Sequence, residues 1–271
     1  MKYTISEMAS LLGVTTHMLQ HYEKIGIIAP EVNKENGYRY YTVLDTRRFN
    51  LSRLLFSCGI PLEQCAELMG NEPLEEADAL IAERQTALAL EARRIQYAID
   101  YLRDYREELP MIEADVGKVR IEHKPDMWRL MLSHVEKARS DKALQSEKQR
   151  WMACFPAVRW VSRIPYEVMK QFSTGPIEYD FGLMCVAEQG RALGLKLTSN
   201  VERVPGGDYV TMLHRKADRG PFTWEDIKPL TDFLAQNGMT FFGDTFSHIK
   251  ASVKINGEPV NYHKLLVKVF T

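Results

Sequence analysis

Cysteine is scarce and unpatterned in this chain. Its 271 residues include four, Cys58, Cys65, Cys154 and Cys185, and no two form a CxxC pair. That excludes a disulfide scaffold and a zinc ribbon, so four buried thiols, no metal and no cofactor are expected. No apolar run approaches the about 20 residues of a membrane span. Met1-Lys2-Tyr3 leads straight into a helix-forming stretch rather than a signal peptide. A cytoplasmic protein with no membrane partner is expected. The formal net charge is −1, which excludes binding of polyanions through overall charge. The charge is nevertheless uneven. Lys24, Lys34, Arg39, Arg47, Arg48 and Arg53 gather near the N-terminus, and Glu63, Glu67, Glu72, Glu75, Glu76 and Asp78 follow them. A local cluster of cations can hold phosphates even in a neutral chain.

The punctuation of the first seventy residues is dense. Tyr3-Thr4-Ile5-Ser6-Glu7-Met8-Ala9 opens a short helix that Gly13 breaks. Thr15 or Thr16 caps a second helix, which Gly26 ends. Two short helices about a glycine turn make a helix-turn-helix, whose second helix fits a major groove. After Pro30 the chain is extended, turns at Asn36-Gly37 and returns through Tyr38-Arg39-Tyr40-Tyr41. Asn-Gly between extended segments signals a hairpin, because both central residues of that turn need positive φ. The hairpin reads as a wing. Thr42 and Asp45 start a third helix to about Ser57, and Pro61 starts a fourth that fades at Gly70-Asn71.

These words, Tyr-Thr-Ile-Ser-Glu-Met-Ala, Leu-Gly-Val-Thr, His-Tyr-Glu-Lys-Ile-Gly-Ile-Ile-Ala-Pro and Glu-Asn-Gly-Tyr-Arg-Tyr-Tyr, resemble the MerR family of transcription regulators over roughly residues 1–70. The alternative is a generic winged-helix interaction module. The resemblance implies promoter DNA and RNA polymerase as partners. The expected DNA contacts are Thr15, Thr16, His17, Gln20, His21 and Tyr22 on the second helix, with Tyr38, Arg39 and Tyr40 on the wing. Gln20 can read adenine by paired hydrogen bonds. Relatives carry a basic residue at His17, Arg at Gln20 and Tyr at His21, so this chain departs at all three.

From Pro73 to about Leu109 the pattern is helical. Leu74, Ile81, Leu88, Ile95, Leu102 and Leu109 recur every seven positions, which keeps one apolar stripe toward a partner. A homodimer through residues 73–110 is the economical reading, and the resemblance implies the same; the alternative is packing against the chain's own C-terminal part. The expected domains are therefore a winged helix-turn-helix over 1–72, a dimerisation helix over 73–110 and an α+β domain over 118–271.

That last domain reads as a duplicated strand-strand-helix-strand unit. Val119–His123 and Trp128–Ser133 flank a turn at Lys124-Pro125-Asp126, and Val201–Val204 and Tyr209–His214 flank one at Pro205-Gly206-Gly207-Asp208. Helices follow at Leu144–Phe155 and Thr223–Asn237, then strands at Val158–Ile164 and Thr240–Ile255, with extra strands at Tyr179–Ala187 and Tyr262–Phe270. Two such halves leave a cleft on their pseudo-two-fold axis. The arrangement is similar to the GyrI-like effector-binding fold of BmrR-type multidrug-responsive activators.

The expected ligand is a small, drug-like, lipophilic molecule, cationic or neutral aromatic, held by Trp151, Trp160, Tyr166, Tyr179, Phe181, Tyr209, Phe246 and Tyr262. BmrR-type pockets hold a buried glutamate where this chain has Ser247. Glu178 and Asp180 are the candidate replacements. The leading expectation is a ligand-responsive dimeric activator that distorts promoter DNA, with no catalytic residues. The rivals are a small-molecule hydrolase and a drug-sequestering protein, both of the GyrI-like type.

Overall fold

The computed structural model describes residues 2–70, 74–134, 137–138, 142–171, 175–217 and 220–270. They form two compact units, Met1–Ala89 and Leu90–Thr271.

The first unit opens with α1 (Ile5–Leu12) and α2 (Thr16–Ile25). Thr4 and Glu7 form a reciprocal capping box on α1, and Thr15 caps α2 by accepting from the Met18 N–H. Gly13 and Gly26, both left-handed, end the two helices. The wing strands are β1 (Glu31–Val32) and β2 (Arg39–Tyr40), in register Val32↔Arg39. Its loop is wider than the two-residue turn expected at Asn36-Gly37. The Asn33 carbonyl accepts from Gly37, and the Asn33 N–H donates to the Tyr38 carbonyl. Gly37 has positive φ but Asn36 does not; its side chain instead accepts from the Tyr38 N–H at 3.0 Å. The local side-chain bond outcompetes the paired-φ turn.

Next come α3 (Val43–Ser57), α4 (Leu62–Leu68) and α5 (Leu74–Glu108). Asp45 is buried and accepts from the Thr42 N–H at 2.7 Å and the Ala29 N–H at 3.1 Å, so one carboxylate starts α3 and fixes the chain entering the wing. The core of this unit joins Met8, Leu19, Tyr22, Ile27, Tyr41 and Phe49.

Along α5, two faces differ. Leu90 and Tyr97 pack against the apolar core of the second unit, and Tyr105 joins another cluster there. The stripe Ile81, Leu88, Ile95 and Leu102 lies elsewhere on the helix and is 38–63% exposed. The own-domain packing uses a different set of residues and leaves the heptad stripe uncovered in the single chain.

The second unit continues with a 3₁₀ turn, then α6 (Ile112–Asp115), β3 (Val119–Lys124), β4 (Met127–Met131), β5 (Ser133–His134), β6 (Lys137–Ala138), α7 (Lys142–Met152), β7 (Val158–Ile164), α8 (Tyr166–Met169), β8 (Asp180–Val186), α9 (Ala187–Ala192), β9 (Val201–Val204), β10 (Gly207–Lys216), α10 (Trp224–Gln236), β11 (Thr240–Ile255) and β12 (Glu258–Phe270). Eight of these strands form one sheet in the order β3-β10-β12-β11-β7-β8-β4-β9. The order is symmetric: β9-β4-β8-β7 repeats as β3-β10-β12-β11, and the halves meet where β7 pairs β11. The expected duplication is present, with α7 and α10 as equivalent helices.

The turns expected at Pro125 and Pro205 do not reverse the chain. β3 pairs β10 and β4 pairs β9, in one continuous register from Val119↔Met212 to Leu130↔Val201. The chain passes straight through Pro125-Asp126 and Pro205-Gly206, so each half lends an edge strand to the other. Proline interrupts a ladder by removing a donor without having to reverse the chain. A two-residue Asn-Gly turn does occur between β11 and β12, where Asn256 and Gly257 both have positive φ and Ile255 faces Glu258.

Candidate functional sites

In the first unit, Thr16, His17, Gln20 and His21 lie on the exposed face at the start of α2. Spacings of three and four place His17, Gln20 and His21 side by side. Tyr22 is different. It is buried against Phe49, with ring centroids 4.8 Å apart, which removes it from the reading face. On the wing Tyr38 and Arg39 are exposed and Tyr40 is half-buried.

Glu23, absent from the expected contacts, ties wing to helix. Its carboxylate lies 3.3 Å from Arg39 Nε and accepts from the Tyr41 hydroxyl. Arg39 is thus aimed rather than free. Arg48, counted with the basic cluster, is spent on the Ile27 carbonyl at 2.6 Å; the carbonyls left at the end of α2 need a donor.

In the second unit, β7 and β11 pair only over Ile164–Ser162 and Thr245–Ser247. Beyond that the sheet forks, and a cleft of about 270 Å³ opens between the halves. Of the residues named as ligand candidates, Trp160, Tyr179, Phe181 and Ser247 line it. Phe222, Asn261 and His263 complete the wall; the Phe222 and His263 rings meet edge-on at 4.8 Å. Ser247 Oγ lies 3.4 Å from His263 Nδ1. Among the described residues no carboxylate lines the cleft. Lys216 does, and its ammonium is 2.9 Å from Asp226.

The other expected pocket residues go elsewhere. Trp151 is buried in the core beneath α7. Tyr166 packs its ring edge-on to Phe241 and gives its N–H to Asp244 at 2.8 Å. Tyr209 and Phe246 share a separate cluster, with the Tyr209 hydroxyl donating to the Pro205 carbonyl at 2.8 Å; burial pushes that phenol up to about 12. Tyr262 packs with Tyr105 and Ile112 and donates to Glu113. On β12 alternation explains the outcome, since Asn261 and His263 line the cleft and Tyr262 between them packs on the other face; Phe246 lies outside the lining.

Neither candidate acid reaches the cleft. Glu178 is solvent-exposed. Asp180 is buried between Arg129, whose side chain is 0% exposed, and Arg163, at Nη2–Oδ2 2.5 Å. Glu202 and Asp244 complete the network at 2.9 Å from Arg129 and 3.1 Å from Arg163. Gly182 makes room for it, since a Cβ there would lie 2.5 Å from the Leu130 carbonyl and 3.1 Å from Arg129 Nε.

Burial pushes His263 down to about 4, and His214 and Lys216 add to the effect. The ring is therefore neutral at pH 7. In an unfolded chain it titrates near 6.5, so its contribution to stability is present above about 6.5 and lost as pH falls toward 4. His263→Gln should lose less melting temperature than the parent between pH 7 and pH 4.5. Equal losses in thermal melts would assign the ring no such role.

The profile of the MerR helix-turn-helix regulatory protein family matches residues 3–72. The multidrug-efflux transporter 2 regulator of Bacillus subtilis (strain 168) is 22% identical over 98% of this chain and 96% of its own. A probable heavy metal-dependent transcriptional regulator of Haemophilus influenzae is 30% identical over 38% of this chain and 84% of its own. Among solved structures, the EcmrR–DNA complex in EcmrR-RPo aligns over 98% of this chain and 99% of that one, at 17% identity and a TM-score of 0.34. The family's words run in order through α1, α2 and the wing, and the chain belongs to the MerR family of helix-turn-helix transcription regulators.

Proposed function

We propose that this chain is a dimeric, ligand-responsive activator, with residues 73–110 as its dimerisation helix, DNA read by α2 and the wing, and a neutral aromatic effector bound in the forked cleft. The observation that carries the reading is one chain holding both a solvent-facing recognition helix and an aromatic cleft on the axis of a duplicated domain. That the B. subtilis relative is a regulator of a multidrug-efflux transporter supports a drug-like effector. RNA polymerase is the further partner that activation requires. Effector biases the promoter state only through different affinities for two conformations, so free and bound forms both occupy DNA.

The ligand's charge follows from the wall. A lipophilic cation leaves water at high cost unless a carboxylate meets it, and the described cleft offers rings, Ser247, a neutral His263 and an already paired Lys216. N-phenyl-1-naphthylamine should bind more tightly than tetraphenylphosphonium. Phe181→Ala should weaken the neutral probe about tenfold, since losing a stacked ring costs ~1–3 kcal/mol. Tighter binding of the phosphonium, or full affinity in Phe181→Ala, would contradict this placement.

On the DNA side, Arg39→Ala should weaken binding to all sequences and reduce the salt slope by about 1. Glu23→Gln should weaken binding likewise by freeing the wing, and Gln20→Ala should relax preference at one base pair. Anisotropy titrations at two salt concentrations separate the three; unchanged affinity in Arg39→Ala at low salt would remove the wing from the interface.

A further inference from the structure

A second cavity, of about 510 Å³, lies beside the first and shares only its edge at Trp160, His248 and Ile249. It is bounded by the end of α5 on one side and by β7, β11 and β12 on the other. None of the residues expected to bind ligand lines it except Trp160. Its volume is that of a drug-sized site, and its chemistry differs from that of the cleft. Lys124, Arg159, Lys250 and Lys264 all line it. Lys124 and Lys264 share a single carboxylate, Glu122, at 2.5 Å and 2.8 Å. Lys250 pairs with Glu108. Asp104, the other carboxylate on the wall, lies 3.8 Å from Arg103. Arg159 has no carboxylate partner among the described residues; its guanidinium sits 5.5 Å from the Tyr101 ring centroid. The cavity therefore carries excess positive charge next to aromatic faces.

His248 adds an independent sign. Its Nε2 is shielded from solvent and has no hydrogen-bond partner among the described residues. A buried polar nitrogen without a partner costs free energy that a ligand can recover. Burial, then the neighbouring Arg159, Lys250, Lys264 and Lys124, hold this imidazole well below its ordinary pKa. It is neutral and offers one nitrogen, while the four cations supply the field.

We propose that this cavity is a second ligand site, for an aromatic anion, with the acidic group held by Arg159 and Lys250 and the rings against Tyr101 and Trp160. Because the site touches α5 itself, an anion bound there contacts the helix assigned to the dimer, and the proposal stands apart from the neutral-ligand reading of the cleft.

A matched probe pair tests it. 1-Anilinonaphthalene-8-sulfonate is an aromatic anion, and N-phenyl-1-naphthylamine has the same rings without the sulfonate. In fluorescence titrations of the intact protein, the double variant Arg159→Gln/Lys250→Gln should bind the sulfonate at least tenfold more weakly and the neutral amine within twofold of the parent. Phe181→Ala should show the reverse. Unchanged sulfonate affinity in the double variant overturns the proposal, and so does a parallel loss of both probes, which would assign the effect to disruption of the surface rather than to recognition of the anion. Arg159 is solvent-exposed, so Arg159→Gln alone keeps the fold and still must weaken the sulfonate several-fold. Failure of the Phe181→Ala arm alone counts against the cleft and leaves the second site standing.

Discussion

Leu88→Lys combined with Ile95→Lys is expected to turn the dimer into a folded monomer. Both side chains are exposed in the single chain, at 38% and 55%, so neither contributes to the core of its own unit. Lysine is as good a helix former as leucine, so α5 itself should persist. In the proposed dimer the same stripe would be covered. Four apolar side chains, each already about half covered in the single chain, leave the seam, a loss of roughly 3–6 kcal/mol scaled from the usual value for a fully buried aliphatic side chain, and four ammonium groups enter it without partners. Dissociation should rise by on the order of 10⁴-fold or more, which empties the dimer at micromolar protein. Sedimentation velocity reads this directly. A variant that still sediments as a dimer would move the interface off this stripe.

Asp180→Ala is expected to cost about 3–5 kcal/mol of stability, the usual penalty for removing one partner of a buried ion pair. Arg129 is fully enclosed and would retain only Glu202, while Arg163 would still reach Glu202 and Asp244. Denaturant titration should show an earlier midpoint, with neutral-probe affinity in the cleft little changed under conditions where the variant remains folded. The reading of Asp180 as an acceptor for a cationic ligand requires the opposite pair of outcomes, retained stability and lost affinity. The two accounts therefore separate on one variant.

The helix boundaries were legible in the sequence because caps are local. Thr4 with Glu7, Thr15, Gly26 and Thr42 with Asp45 act within a turn of where they stand. The duplication was legible too, as two similar strands each followed by a helix and a strand. Strand partners were not. Pro125 and Pro205 mark a break in a ladder, and whether the chain reverses there depends on which strand lies alongside, a contact some eighty residues distant. The cleft shows the same limit more sharply. Aromatic content pointed to strands that border the cleft, but with a period of two His263 lines it and Tyr262 faces away from it. Arg129 stands between Trp128 and Leu130 with nothing local to mark it as buried. Its burial is decided by Asp180 and by the absent side chain of Gly182, both far along the chain. Glu23 lay within a recognised word, yet its role needed the wing folded back to bring Arg39 and Tyr41 beside it.

The central claim is that a symmetric pair of these chains reads DNA by sequence. Selection from a random duplex library by the intact protein tests it most directly. An inverted repeat should be enriched, with two half-sites related by a two-fold axis, and the Leu88→Lys/Ile95→Lys variant should fail to enrich it. Enrichment of no sequence, or of an unsymmetric site that the monomeric variant selects equally well, would contradict the account.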